Sequence, residues 1–193
     1  MSEASAAAHL GLGKAPIRAA LARLAEEGLV QAMPRRGWSV SLVTVRDIHE
    51  VFDLRLLLEP EAARRAAGRV DAHALRRLDA VCACGYRLGD EDSALEFLAA
   101  NKAFHVAVAD LSGNGRLARQ IDRLLDESTR MLVLGLRHRD RTGEMSHEHR
   151  DLIEALALGK AADAAALMWE QVAVSRDMVL SALTSPDAAM SVS

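Results

Sequence analysis

Residues 10–40, LGLGKAPIRAALARLAEEGLVQAMPRRGWSV, decide the fold at the N-terminal end of this 193-residue chain. Pro16 suits the first turn of a helix, where a missing N–H has no bond to lose. Ile17, Leu21 and Leu24 then recur at helical spacing, and Gly28 stands where a helix C-terminus favours left-handed backbone, so a helix is expected over about residues 15–27. Its other face carries Lys14, Arg18 and Arg23. A glycine-bearing turn at residues 11–13 separates it from an earlier helix over residues 2–10. Beyond Gly28, residues 29–33 and 38–42 alternate or nearly alternate between apolar and polar, around Pro34, Arg35, Arg36 and Gly37. That is the pattern of a hairpin with a cationic tip.

Composition agrees with a mainly α-helical chain. Half the residues are apolar but only 3% are aromatic, which favours close-packed helices over strands. Residues 1–45 carry five Lys or Arg against three Glu, a net +2, while the remainder nets −5. A basic head on an acidic body suits a nucleic-acid-binding module joined to something else. No apolar run is long enough to cross a bilayer and the N-terminus lacks the pattern of a signal peptide, so a cytoplasmic protein with no membrane partner is expected. Cys82 and Cys84, two apart in VCACG, are too close to staple distant elements, and no second pair completes a zinc site. Both are expected to be small core-facing residues.

Two helices, a tight turn and a basic hairpin outline a winged helix-turn-helix. Its second helix can enter the major groove while the wing tip reaches phosphates or the minor groove. The quoted stretch resembles the DNA-binding head of the GntR family of bacterial transcription regulators. The resemblance implies DNA contacts from Lys14, Arg18, Arg23, Arg35, Arg36 and Gly37. Gly13, Lys14 and Ala15 replace the family's usual Ser-Arg-Thr and Ala19 replaces a glutamate, so Lys14 offers a point charge where a bidentate arginine is usual. The family also carries an earlier helix, so residues 1–44 are expected to form a partial head lacking that helix.

From residue 45 the pattern is helical, with Thr44 as a cap and Pro60 expected to kink or end the first helix early. Further helices are expected at about 71–88, 91–111, 114–137, 144–158 and 161–183, giving an all-α antiparallel bundle over residues 45–183 and a tail at 184–193. His138 falls in a charged loop.

Polar residues interrupt the inward stripes of several of these helices. Asn101 and His105 lie one turn apart among Phe97, Phe104 and Val108; His149 falls among Met145, Leu152 and Leu156; Gln171 falls between Met168 and Met178. Arg55 lies between Val51 and Leu58, where a buried cation needs an anion, either a carboxylate side chain or a bound acid. These residues can be core polar groups bonded to one another, or the lining of a pocket. As a set they favour the pocket. Arg130 is a further candidate anion contact.

NKAFHVAVADLSGNGRLARQIDRLL and HEHRDLIEALALGKAADAAALMWEQV resemble the FCD effector domain of the FadR subfamily of GntR regulators. The resemblance implies a homodimeric regulator that binds double-stranded DNA and a small organic acid effector. The alternatives are an effector-binding dimer that no longer binds DNA because the first helix is missing, or an α-helical metalloenzyme using His105 and His149. The latter is disfavoured because no general base is found with them, so no enzymatic activity is expected. Many such domains hold a divalent metal with an aspartate and three histidines. The four corresponding positions here read Asn101, His105, His149 and Gln171, so His105 and His149 would be metal ligands with the two amide oxygens beside them. Two readings stay open: a loosely held zinc-like ion, or a metal-free pocket in which Arg55 and the histidines hold the carboxylate. Trp169 is expected between subunits.

Overall fold

A computed structural model describes residues 1–137 and 140–184; His138 and nearly all of the expected tail lie outside the described residues. The chain divides into two compact units, one ending at Val43 and the other starting at Thr44.

In the head, α1 spans Glu3–Leu10 and α2 spans Lys14–Glu26, followed by β1 at Val30–Met33 and β2 at Gly37–Val40. Ser2 caps α1 by accepting from the Ser5 N–H at 3.0 Å. α2 closes as its spacing predicts: Gly28 adopts φ +72°, its N–H donates to Ala25 O, and the Leu29 N–H reaches back to Leu24 O. That pair of bonds satisfies the last carbonyls of the helix. Ala6, Ile17 and Leu21 form the buried core, with Val30 and Trp38 packed against it. The strands pair antiparallel with Ala32 opposite Trp38 and Met33 opposite Gly37, which leaves Pro34, Arg35 and Arg36 as the tip. The Met1 backbone pairs with Trp38 in both directions at 2.8 Å.

The second unit is six helices: α3 Val45–Ala66, α4 Ala72–Cys82, α5 Glu91–Leu111, α6 Gly115–Leu136, α7 Thr142–Ala157 and α8 Ala161–Thr184. Thr44 and Asp47 form a reciprocal capping box at the start of α3. Pro60 does not end the helix, which continues six residues beyond it to Ala66. A proline inside a helix costs about 3 kcal/mol, and here Phe52, Ala62, Ala63 and Ala66, all essentially buried on the same helix, offset it. α4 stops at Cys82, short of the expected 88, because Gly85 at φ +68° and Gly89 at φ +82° turn the chain before α5. α3 packs most extensively against α8, and α5, α6 and α7 close the bundle around them. Among the described residues no helix is long and apolar enough to cross a membrane.

Candidate functional site

The head exposes its cations, yet two of the three on α2 are already engaged. Arg18 makes a bidentate pair with Glu3 of α1, with Nη2 to Oε2 at 2.8 Å, and Arg23 pairs with Glu27 at 3.0 Å. At 100° per residue Arg23 lies roughly 140° around the helix from Arg18, so the two cannot serve one edge of a groove. Lys14 opens α2, exposed beside the free N–H groups of the first turn. Arg35 and Arg36 are exposed at the wing tip, and Arg35 takes φ +63°. Gly37 is structural there: with φ +90°, a Cβ would meet the Met1 carbonyl oxygen at 2.5 Å.

In the helical unit, α3, α5, α7 and α8 bring Arg55, Asn101, His105, His149 and Gln171 around one chamber, joined by Glu148 and walled by Leu98, Leu132, Leu136, Met145 and Met178. All five expected residues are buried. The chamber is about 10 Å³, room for about one water molecule. Arg130 does not line it and instead acts on Asp47, whose carboxyl is held below the usual range, against burial, by its hydrogen bonds from Thr44 and to a lesser degree by Arg130.

Glu59, not singled out by its sequence pattern, organises the centre. It sits one turn after Arg55 and accepts from Arg55 Nε at 2.7 Å and from His105 Nδ1 at 2.6 Å. Burial pushes the Glu59 carboxyl up, but the Arg55 guanidinium and His105 outweigh burial and hold it down at about 2. Arg55 Nη1 donates to Ser128 Oγ at 3.2 Å. Asp79 plays the same part for the second histidine, accepting from His149 Nδ1 at 2.9 Å. An ionised carboxylate only accepts, so both imidazoles donate from Nδ1, and wherever the ring is neutral Nε2 is left as an acceptor. Burial lowers the His149 pKa, against the pull of Asp79. His149 also stacks on Phe104 with ring centroids 4.0 Å apart.

The amides are half satisfied. Gln171 Nε2 donates to Glu148 O at 2.8 Å, while Gln171 Oε1 and Asn101 Oδ1 are buried without a partner. The chamber therefore gathers two imidazoles, each already donating from Nδ1, and two orphan amide oxygens. Neither amide carries charge, so these four positions do not fit a tightly held divalent ion, whose oxygen ligands are normally carboxylates.

Two features escaped the sequence reading. Cys84 is exposed, whereas Cys82 is buried and, with Asp79 and His149, places three ligand atoms within 4.8 Å of one another. Arg141 is fully buried, bonded to Glu144 and Glu148, with Nη1 unpartnered. Glu59 was in principle visible as the i+4 partner of Arg55. Asp79 could have been found between Leu75 and Cys82 on the inward stripe of α4.

Residues 1–40 match the gntR family of bacterial regulatory proteins and residues 50–173 match the FCD domain. This chain belongs to the GntR family and carries an FCD domain. It is 27% identical over 157 residues to YdhC, an HTH-type transcriptional regulator of Bacillus subtilis strain 168, covering 80% of this chain and 69% of that one. The HTH-type transcriptional repressor GlaR of Escherichia coli K12 is likewise 27% identical, over 155 residues, covering 75% of this chain and 68% of GlaR. The GntR chain thus spans about two-thirds of the length of these relatives. Its fold is shared with a GntR transcriptional regulator from Rhodococcus sp. RHA1, with a TM-score of 0.74 at 22% identity over 93% of this chain and 86% of that one. It is shared also with E. coli McbR/YncC, with a TM-score of 0.70 at 20% identity over 92% and 86%. The relatives of this GntR chain are transcriptional regulators and not enzymes.

Proposed function

We propose that this GntR regulator binds duplex DNA as a homodimer through its heads and answers to a small organic acid held in the helical chamber. The observation that carries the effector reading is the convergence of Arg55, His105, His149, Asn101 and Gln171, from four helices, on one buried space with two amide oxygens left unpartnered. Buried polar atoms are rarely left orphaned without a ligand or water to meet them. Arg55 Nη2 and the asparagine N–H groups would meet a carboxylate, and the acceptors would take hydroxyl or acid protons.

The chamber is far smaller than any organic acid, so binding must spread the helices that wall it. That gives the ligand a physical means of acting, because a ligand biases only states it binds unequally. α3 carries Arg55 and begins two residues after Val43, the head's last residue, with only its cap Thr44 between them in the chain. An open cavity of about 350 Å³ shares Leu136 with the chamber, and its cations Arg87 and Arg137 are already paired with Asp90 and Glu91. Leu136 is therefore the side chain a ligand would displace on entry.

A second reading is supported by the Arg18–Glu3 and Arg23–Glu27 pairs, which leave fewer cations for phosphate: an effector-binding dimer that no longer reads DNA. Fluorescence anisotropy against duplex from around the protein's own coding region, at several salt concentrations with unrelated duplex as control, separates the two. The regulator reading expects selective, salt-sensitive binding, a salt slope smaller by about 1 for Lys14→Ala, and release on adding the right acid from a panel of small mono- and dicarboxylates. Equal, weak binding to both duplexes would establish the second reading instead.

A further inference from the structure

The ordinary histidine and aspartate ligands are replaced by amides inside the chamber, but a charged donor set stands on the opposite edge of the same His149 ring. Asp79 and Cys82 lie three residues apart on one face of α4, and His149 on α7 packs against that face. One oxygen of Asp79, the Cys82 sulfur and one nitrogen of His149 lie mutually within 4.8 Å. His149 Nδ1 already faces Asp79 at 2.9 Å. Cys82 and His149 are each 1% exposed, whereas the Asp79 side chain keeps 17% of its surface open, which supplies a path for an ion.

We propose that Asp79, Cys82 and His149 Nδ1 form a site for a thiophilic divalent cation of the zinc class, separate from the amide-bearing positions in the chamber. The donor chemistry argues for it. A carboxylate and a thiolate together balance a 2+ ion, which Asn101 and Gln171 cannot do, and N, O and S donors all bind zinc. Three protein ligands leave a fourth position for water.

Occupancy would act on the chamber through the imidazole. When the ion takes Nδ1, the ring proton moves to Nε2, the Cys82 thiol proton leaves to solvent, and the hydrogen bond to Asp79 is replaced by ligation. His149 then presents an N–H donor to the chamber instead of an acceptor. A donor there favours a carboxylate, so the ion would prime the pocket for an acid; this last consequence rests on the effector reading above, but the site itself does not.

The test uses the full chain, reduced with a phosphine and stripped by chelator, titrated with Co²⁺ and followed by absorption, then competed with Zn²⁺. The site predicts one equivalent of Co²⁺ with a near-ultraviolet thiolate charge-transfer band. Cys82→Ala should abolish the band, and Asp79→Asn, which keeps the side-chain volume, should weaken binding about tenfold or more. Cys84→Ala, Asn101→Ala and Gln171→Ala should leave the band in place. Circular dichroism checks that each variant is folded. Absence of the band, its loss with Cys84→Ala, or Co²⁺ affinity that survives Cys82→Ala and fails with His105→Ala would overturn the proposal. No DNA or acid enters the measurement, so its failure is distinct from failure of the effector reading.

Discussion

At Glu59 one carboxylate answers Arg55 and His105 at once, and removing it leaves the Arg55 guanidinium, 2% exposed, with Ser128 as its remaining hydrogen-bond partner among the described residues and the Phe52 ring beneath it. Breaking a buried pair from one side costs about 3–5 kcal/mol, because the remaining charge has no water to turn to. Glu59→Gln should lower stability by that order in urea denaturation of chelator-treated protein at neutral pH. The acid limb follows from the same contact. The folded Glu59 carboxyl lies at about 2 against an ordinary 4.5, so its contribution is complete above about 4.5 and disappears as the pH falls toward 2. The gap between wild type and Glu59→Gln should therefore narrow over that window, and a gap unchanged down to pH 3 would show that the ion pair is not what Glu59 contributes. The sequence made Arg55 legible as an inward cation needing an anion, because a stripe position is a local property. It left open whether the anion was internal, since i+4 spacing permits a pair and only packing makes it.

Among the elements, the wing and α3 show how local rules and tertiary context divide the work. The closing of α2 by Gly28 and the capping of α3 by Thr44 are set by residues within a few positions of one another and follow from the sequence, as does the existence of the hairpin. Its register, with Gly37 in β2 opposite Met33 instead of in the tip, does not. Nor do Pro60 and the early end of α4. The former depends on how much surface α3 buries, and the latter on glycines whose turn becomes decisive only when α5 must fold back. Gly37 combines both kinds of cause. Its φ of +90° strains any side chain, and the Met1 carbonyl stands 2.5 Å from where a Cβ would be. Because that obstacle is backbone, no rotamer relieves it, and strain of this kind costs about 1–3 kcal/mol. Gly37→Ala should lower the stability of the head, seen by Trp38 fluorescence, and weaken duplex binding, while the far-ultraviolet signal of the bundle stays unchanged. Full duplex affinity in that variant would mean that the wing conformation does not matter to binding.

For the whole molecule, the two units differ sharply in what they bury. The head's buried apolar residues are Ala6, Ile17 and Leu21, whereas the helical unit buries Phe52, Phe97, Phe104, Ile121, Leu124, Leu152 and many others below 4% exposure. Small cores are marginal because surface grows relative to volume. The chain's two tryptophans fall one to each unit, Trp38 partly buried in the head and Trp169 half-exposed on α8, so each unit carries its own reporter. In urea, Trp38 followed in the Trp169→Phe variant should lose its native signal at lower denaturant than Trp169 followed in Trp38→Phe. The molecule would then not be two-state, and a single midpoint would describe neither unit. Cognate duplex, binding the folded head alone, should raise the Trp38 midpoint and leave that of Trp169 in place, by mass action on the unit that holds it. Coincident transitions with and without duplex would instead mean that the head has no stability of its own and folds only with the bundle.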